Sequence, residues 1–160
     1  MLSIKIICVG KLKERFYLDA AAEYQKRLGG LCRLEVEELP EARLTAEPTE
    51  AEVEVALHRE AESIFLRVPS GAVEVALCIE GKTIDSVGFS QFLDMCALKG
   101  KSRICFIIGG SNGLHPEVKE RADLQLSFSP MTFPHHLVRV MLLEQLYRAF
   151  QIQLGSKYHK

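Results

Sequence analysis

Residues 126–154 read LSFSPMTFPHHLVRVMLLEQLYRAFQIQL, and the fold turns on how this stretch is parsed. Leu126–Phe128 is a short apolar piece with strand character. Ser129-Pro130-Met131-Thr132-Phe133-Pro134 follows as a turn whose two prolines fix φ and remove two backbone donors. From Pro134 onward Leu137, Val140, Met141, Leu143, Leu146, Tyr147, Phe150 and Ile152 cover more than one face of a long helix. That is more apolar surface than a helix lying on one sheet uses, and it implies a second packing partner. Arg139, Glu144 and Arg148 interrupt the run. An Arg139–Glu144 ion pair is one expectation, and it is compatible with a site at a subunit interface.

Working outward, Leu124–Phe128 reads as a last strand, and a short helix from Pro116 to Ala122 precedes it. Arg103–Ile108 is a continuous apolar strand ending in Gly109-Gly110-Ser111-Asn112-Gly113. Before it, Ser90 is placed as the cap of a helix to Leu98 that Gly100 ends. Val73–Ile79 reads as a central strand buried on both faces, with Glu80-Gly81-Lys82 as the turn after it. Pro69-Ser70-Gly71 is another turn. Thr49-x-x-Glu52 has the form of a capping box opening an acidic helix to Leu66. Pro40–Pro48 reads as a polar loop. Cys32–Leu39 alternates Leu34 and Val36 with Glu35 and Glu37, which marks a half-exposed strand at a sheet edge. Phe16, Ala20, Tyr24 and Leu28 recur at helical spacing, and Gly29-Gly30 stops that helix. Ile4–Val9 is the first strand. Strands and helices thus alternate throughout, which predicts an α/β fold with a mostly parallel sheet in a single domain over residues 1–160.

Composition agrees with a soluble globular protein: 48% hydrophobic and 26% charged over 160 residues. No apolar run approaches the roughly 18 residues of a membrane span. The N-terminal MLSIKIICVGKLKE has too short an apolar core for a signal peptide, so a cytoplasmic location is expected. Cys8, Cys32, Cys78, Cys96 and Cys105 are odd in number and lack CxxC spacing, so reduced thiols are expected and a zinc site is not. Net charge is −1. Glu35, Glu37, Glu38, Glu41, Glu47, Glu50, Glu52, Glu54, Glu60 and Glu62 make an acidic flank. Arg139, Arg148, Lys157 and Lys160 with three histidines make the C-terminal end mildly basic. This polarity is compatible with an anionic partner at that end, but charge alone favours an ordinary solvated surface.

Ligands of parallel α/β sheets bind beyond the carboxyl ends of the strands. Three such ends stand out: Glu80-Gly81-Lys82, GGSNG and SPMTFP. GGSNG brings backbone close to a ligand or simply makes a tight turn. It matches neither GxGxxG nor GxxxxGK[ST]. Met131 and Phe133 either wall a flat heterocycle read by main-chain groups, or pack into the core. The tail Gly155-Ser156-Lys157-Tyr158-His159-Lys160 has residue types that stack on a base and contact phosphate, although chain ends are usually loose.

IIGGSNGL, LSFSPMTFPHHLVRVMLLEQLYRAF, the closing YHK and the opening IKIICVGKLKE together resemble the SPOUT-class ribosomal RNA large-subunit methyltransferase H (RlmH) family, over essentially the whole chain. The resemblance implies a SPOUT-type α/β fold with a C-terminal trefoil knot. It implies a homodimer that uses S-adenosyl-L-methionine to methylate N3 of a pseudouridine in 23S rRNA on the assembled ribosome, with no metal and no membrane. Carried over by position, it implies cofactor contacts from Leu77, Gly109, Phe128, Ser129, Pro130, Met131, Thr132 and Phe133. It implies catalytic roles for His159, Tyr158, Arg139 and Glu144, and RNA contacts from His135, Arg139, Tyr158 and Lys160. Within these roles, His159 or a water it orders is the candidate proton acceptor. Ser111-Asn112 stands where some relatives have Pro-Glu, and Cys78 where an acidic residue is commoner. Three rivals remain. A non-enzymatic RNA-binding module would bind no S-adenosylmethionine. A Rossmann oxidoreductase would need GxGxxG where Gly10-Lys11-Leu12-Lys13 stands. A methyltransferase for another RNA site differs only in substrate.

Overall fold

The computed structural model describes residues 1–160. Its elements are β1 (Ser3–Val9), α1 (Arg15–Leu28), β2 (Arg33–Leu39), α2 (Glu50–Arg67), β3 (Val73–Thr83), α3 (Ser86–Leu98), β4 (Arg103–Ile108), α4 (Pro116–Arg121), β5 (Leu124–Ser127) and α5 (His135–Gln153). The five strands form one sheet in the order β2-β1-β4-β3-β5, and every neighbouring pair is parallel. The expected α/β class with a parallel sheet is what folds, and β2 does lie at an edge.

Strand periodicity divides the core. Ile4, Ile6 and Cys8 of β1, with Val75, Ile104, Phe106 and Leu126, face α1, α3 and α5. Ile7, Val9, Ala76, Cys105 and Ile107 face the other way, toward α2 and α4. Strands covered on both faces have no polar register, which is why Ile6–Val9 of β1 and Ile104–Ile108 of β4 read as unbroken apolar runs. The largest fully buried residues on the first face include Leu142 and Leu143 of α5, so one side of that helix is core.

Local signals explain most boundaries. The capping box opens α2: Glu52 N–H donates to Thr49 Oγ1 at 3.1 Å, and Thr49 N–H to Glu52 Oε1 at 3.3 Å. All five cysteines are free thiols. Burial pushes Cys8 and Cys105 up to about 12, so both stay protonated.

Two expectations are corrected. Helix α3 starts at Ser86, capped by Asp85, whose carboxylate accepts from Gly88 N–H at 2.7 Å. Ser90 lies inside the helix, 2% exposed, and its hydroxyl donates to the Ala149 carbonyl at 2.9 Å. A serine chosen for a contact between helices has the same residue type as a cap. Second, Glu80-Gly81-Lys82 belongs to β3. Leu126 of β5 pairs with Leu77, and then again with Lys82 after a break in register. Gly81 passes so close that a Cβ there would lie 2.7 Å from the Gln125 carbonyl. Glycine next to lysine reads as a turn; here it marks a bulge and a close backbone approach.

Candidate active site

At the carboxyl ends of β3, β4 and β5 the chain encloses a cleft of about 680 Å³. Leu77, Cys78, Ile79 and Glu80 form one side, Ile108–Leu114 the next, and Leu126–Ser129 with Met131–His135 the third. The break in register of β3 opens this space, because Cys78–Gly81 have no partner in β5.

The glycine loop is folded tightly on itself. Gly113 N–H donates to Gly110 O at 3.1 Å, and Gly113 has φ +76°. A Cβ on Gly109 would collide with the Gly113 carbonyl. Glycine is therefore required at both positions, and the loop presents backbone rather than side chains to the cleft.

The loop after β5 is held by serines as well as prolines. Ser127 hydroxyl donates to Ser129 O at 3.0 Å, and Met131 N–H donates to Ser129 Oγ at 3.0 Å. Met131 is 70% exposed, so it is not a core residue. Phe128 is half-buried against the core, and Phe133 lines the cleft. Of the residues expected at a cofactor, Leu77, Gly109, Phe128, Ser129, Met131, Thr132 and Phe133 meet in this cleft; Pro130, exposed in the same loop, does not line it. His135 lines the cleft at the start of α5. Burial, then His136, holds its imidazole below the usual range against the opposing pull of Glu41.

The C-terminal residues form a second group. Tyr158 hydroxyl donates to Glu144 Oε1 at 3.0 Å, and Arg148 donates to the same oxygen at 2.8 Å. The Arg148 guanidinium stacks 4.7 Å from the centre of the Tyr158 ring and lies 3.2 Å from His159 Nδ1. Burial and the Glu144 hydrogen bond raise Tyr158, so its phenol keeps its proton. The tail is therefore folded back on α5. Glu144 lines a smaller cavity of about 350 Å³ with Asp85, Ser86 and Met141. This cavity shares Leu126 and Phe128 with the main cleft. Tyr158, His159 and the exposed Lys160 do not line the main cleft of their own chain.

The expected Arg139–Glu144 pair does not form. Five residues apart on a helix points two side chains about 140° away from each other. Arg139 is 3% exposed; it donates to Glu38 Oε2 at 2.6 Å and to Gly10 O at 3.0 Å. Burial favours the neutral form of Glu38, but Arg139 and the Leu12 N–H outweigh it and hold the carboxyl below its usual range.

Sequence reasoning passed over Glu41, which lies just past β2. Its Oε1 accepts from Ser111 N–H at 2.9 Å and from Ser111 Oγ at 2.5 Å. A Cβ on Gly10 would lie 3.3 Å from His135 Nε2, 3.7 Å from His136 Nε2 and 3.8 Å from Glu41 Oε2. Burial pushes Glu41 up, but the Ser111 hydrogen bonds and the two histidines bring it below its usual range. Attention to the carboxyl end of β2, alongside those of β3, β4 and β5, would have singled it out.

A family model described as "Predicted SPOUT methyltransferase" matches residues 2–159. A protein named ribosomal RNA large subunit methyltransferase H from Streptococcus uberis is 46% identical over 159 residues, covering 99% of this chain and 100% of that protein. One of the same name from Streptococcus equi subsp. zooepidemicus is 45% identical over the same length, with the same coverage. Among solved structures, a protein of the methylase family from Haemophilus influenzae Rd KW20 aligns at TM-score 0.54 with 16% identity, over 100% of this chain and 72% of the other. A protein from Legionella pneumophila described as a methyltransferase, solved with bound cofactor SAM, aligns at TM-score 0.51 with 14% identity, over 95% and 66%. At such identities these two structures speak to fold alone.

Proposed function

The chain belongs to the SPOUT methyltransferase family, and on that premise we propose that it transfers a methyl group from S-adenosylmethionine to N3 of a pseudouridine in 23S rRNA, on the assembled ribosome and in the cytoplasm. It acts as one domain over residues 1–160, paired as a homodimer, with a trefoil knot at its C-terminal end. The names of the relatives support the rRNA substrate. The observation that carries the reading is the cleft between the glycine loop and the serine-held loop after β5.

That cleft suits the cofactor. Its volume is in the range of small-molecule sites, its walls are largely apolar, and backbone rather than side chains lines two of its edges. Gly109 and Gly110 let the loop close against Gly113 and Glu41, where Cβ atoms would collide, so the loop offers backbone to the cleft. Leu77, Phe128 and Phe133 would supply apolar walls for the cofactor's base, and backbone groups of the Ser129–Phe133 loop would hold its polar edge.

When bound, S-adenosylmethionine supplies a methyl group on a sulfonium sulfur, already activated for displacement. The work left to the protein is to orient the attacking nitrogen in line and to take its proton. His159 is the proposed acceptor through Nδ1, and because an Arg148 N–H faces that lone pair at 3.2 Å, this contact opens before the imidazole takes the proton. Tyr158 stacks the target base, while Arg139, His135 and Lys160 serve the phosphate side. Arg139 is buried and already paired with Glu38, so that role requires a rearrangement at α5. The tail lies outside its own cleft, which supports a homodimer in which one subunit's Tyr158 and His159 serve the partner's cofactor. The apolar breadth of α5 supports the same pairing.

With a net charge of −1, affinity for bare RNA through phosphate neutralisation is weak. Recognition then depends on the shape of a folded particle. Calorimetric titration with S-adenosylmethionine tests the enzyme reading, and absence of binding heat sinks it. Methyl transfer to whole ribosomes, set against a short rRNA stem-loop, tests the substrate. Equal turnover on the stem-loop removes the assembled ribosome from the proposal.

A further inference from the structure

We propose that Glu41 is a positioning residue for methyl transfer, a clamp whose carboxylate pins the glycine loop of the cofactor cleft through Ser111. This inference rests on the cleft being the S-adenosylmethionine site.

The two oxygens have different neighbours. Oε1 takes both hydrogen bonds from Ser111, in the glycine loop after β4. Oε2 accepts no hydrogen bond and faces Gly10, on the side where His135 and His136 begin α5. Ser111 and His135 both line the cleft; Glu41 does not. It therefore acts on the site through Ser111. The glycine loop is a short hairpin with little side-chain packing of its own, and an outside anchor fixes where its backbone groups stand.

Neighbouring residues are arranged to admit this carboxylate. A Cβ on Gly110 would come 2.7 Å from Glu41 Oε1, so residue 110 is glycine where the clamp closes on the loop. The segment bearing Glu41 is itself tied down. Ala42 N–H donates at 2.8 Å to Glu60, a carboxylate on α2 that is 8% exposed. The Glu41–Ser111 contact joins the segment after β2 to the loop after β4, across the end of β1. There the chain leaves β1 toward β2 on one side and β4 toward β5 on the other, and such reversals are where α/β sheets open crevices.

The test compares Glu41→Ala, Glu41→Gln, Ser111→Ala and the double variant Glu41→Ala/Ser111→Ala with the unmodified full-length protein, by calorimetry with S-adenosylmethionine and by ribosome methylation. The amide of Glu41→Gln still offers Oε1 to Ser111. Glu41→Ala is expected to bind the cofactor about tenfold more weakly, the scale of a lost charge-assisted hydrogen-bond pair, while Glu41→Gln stays within about threefold of the original. The double variant is expected to be no weaker than Glu41→Ala, since the two residues share one interaction. The loss is expected in the KM for S-adenosylmethionine, with kcat at saturation within about threefold, because binding and not the transition state is affected. Unchanged affinity in Glu41→Ala overturns the clamp, as does a Glu41→Gln variant as weak as Glu41→Ala. If Glu41→Ala fails to fold, Ser111→Ala decides: about threefold weaker binding upholds the clamp, and unchanged binding overturns it. If the unmodified protein binds no S-adenosylmethionine, the function proposed above has failed, and this inference goes with it.

Discussion

Arg139 and Glu38 stand 101 residues apart in the chain, and their side chains meet with Nη1 2.6 Å from Oε2. The contact fastens the start of α5 to the carboxyl end of β2, across Gly10. It is also asymmetric: the Arg139 side chain is 4% exposed and that of Glu38 is 35% exposed. Arg139 Nε, moreover, is buried without a partner. Removing the acid strands a buried cation, whereas removing the arginine lets the acid turn to water. Glu38→Ala should therefore cost about 3 kcal/mol and Arg139→Met about 1 kcal/mol. Urea unfolding of the two variants checks the order, and a larger loss in Arg139→Met would refute the argument.

The pH dependence of stability follows from His135. Burial lowers its pKa from 6.5, with His136 and Arg139 adding and Glu41 opposing. As pH falls through 6.5 the unfolded chain takes up this proton and the folded chain resists it, so stability declines with falling pH below that value. Glu38 and Glu41, both held below 4.5, add a second decline under pH 4.5 as they are forced to protonate. His135→Gln should flatten the first decline and leave the second. Thermal midpoints measured between pH 7.5 and 4 distinguish the two.

The tail makes a prediction about chemistry rather than folding. Deleting residues 158–160 removes the part-buried Tyr158–Glu144 hydrogen bond, and binding of S-adenosylmethionine should stay within about threefold because these residues are assigned to the target base, its proton and the phosphate, not to holding the cofactor. Methyl transfer to ribosomes should drop at least about a hundredfold, in the deletion and in His159→Ala alike, the usual effect of losing a general base. A fully active His159→Ala protein beside an inactive deletion would move the proton acceptor elsewhere.

Two glycines separate site from scaffold. In Gly109→Ala the new methyl meets the Gly113 carbonyl inside the loop, so cofactor binding should be lost while the fold persists. In Gly81→Ala it meets the Gln125 carbonyl across the sheet, so stability should drop by about 2 kcal/mol, the cost of overpacking a rigid contact. Calorimetry and urea unfolding on both variants should give these opposite patterns.

What the sequence revealed depended on the range of each interaction. The apolar runs of β1 and β4, and the Thr49–Glu52 box, are written within a few consecutive residues, and their elements form where the pattern puts them. The two loops of the cleft carry local composition unusual enough to be noticed. Ser90, Glu80-Gly81-Lys82 and Arg139 were misplaced for a shared reason. Their side chains or backbones answer to partners far along the chain, Ala149, Gln125 and Glu38, and nothing in the local pattern announces such partners. Glu41 was hidden in the same way. It sits in an ordinary acidic loop, and its importance depends on Ser111, which folding brings across from 70 residues away.

The double pairing of Leu126 has one further effect. By meeting both Leu77 and Lys82, it leaves Cys78–Gly81 as a stretch of strand with no rung of ladder on the β5 side. The cleft is thus an interruption in the sheet itself, and the group that fills it becomes part of the sheet's own architecture. Loading the cleft should slow amide hydrogen exchange at Cys78–Gly81 and at Phe128–Phe133 together, so that two segments separate in sequence report as one cooperative unit.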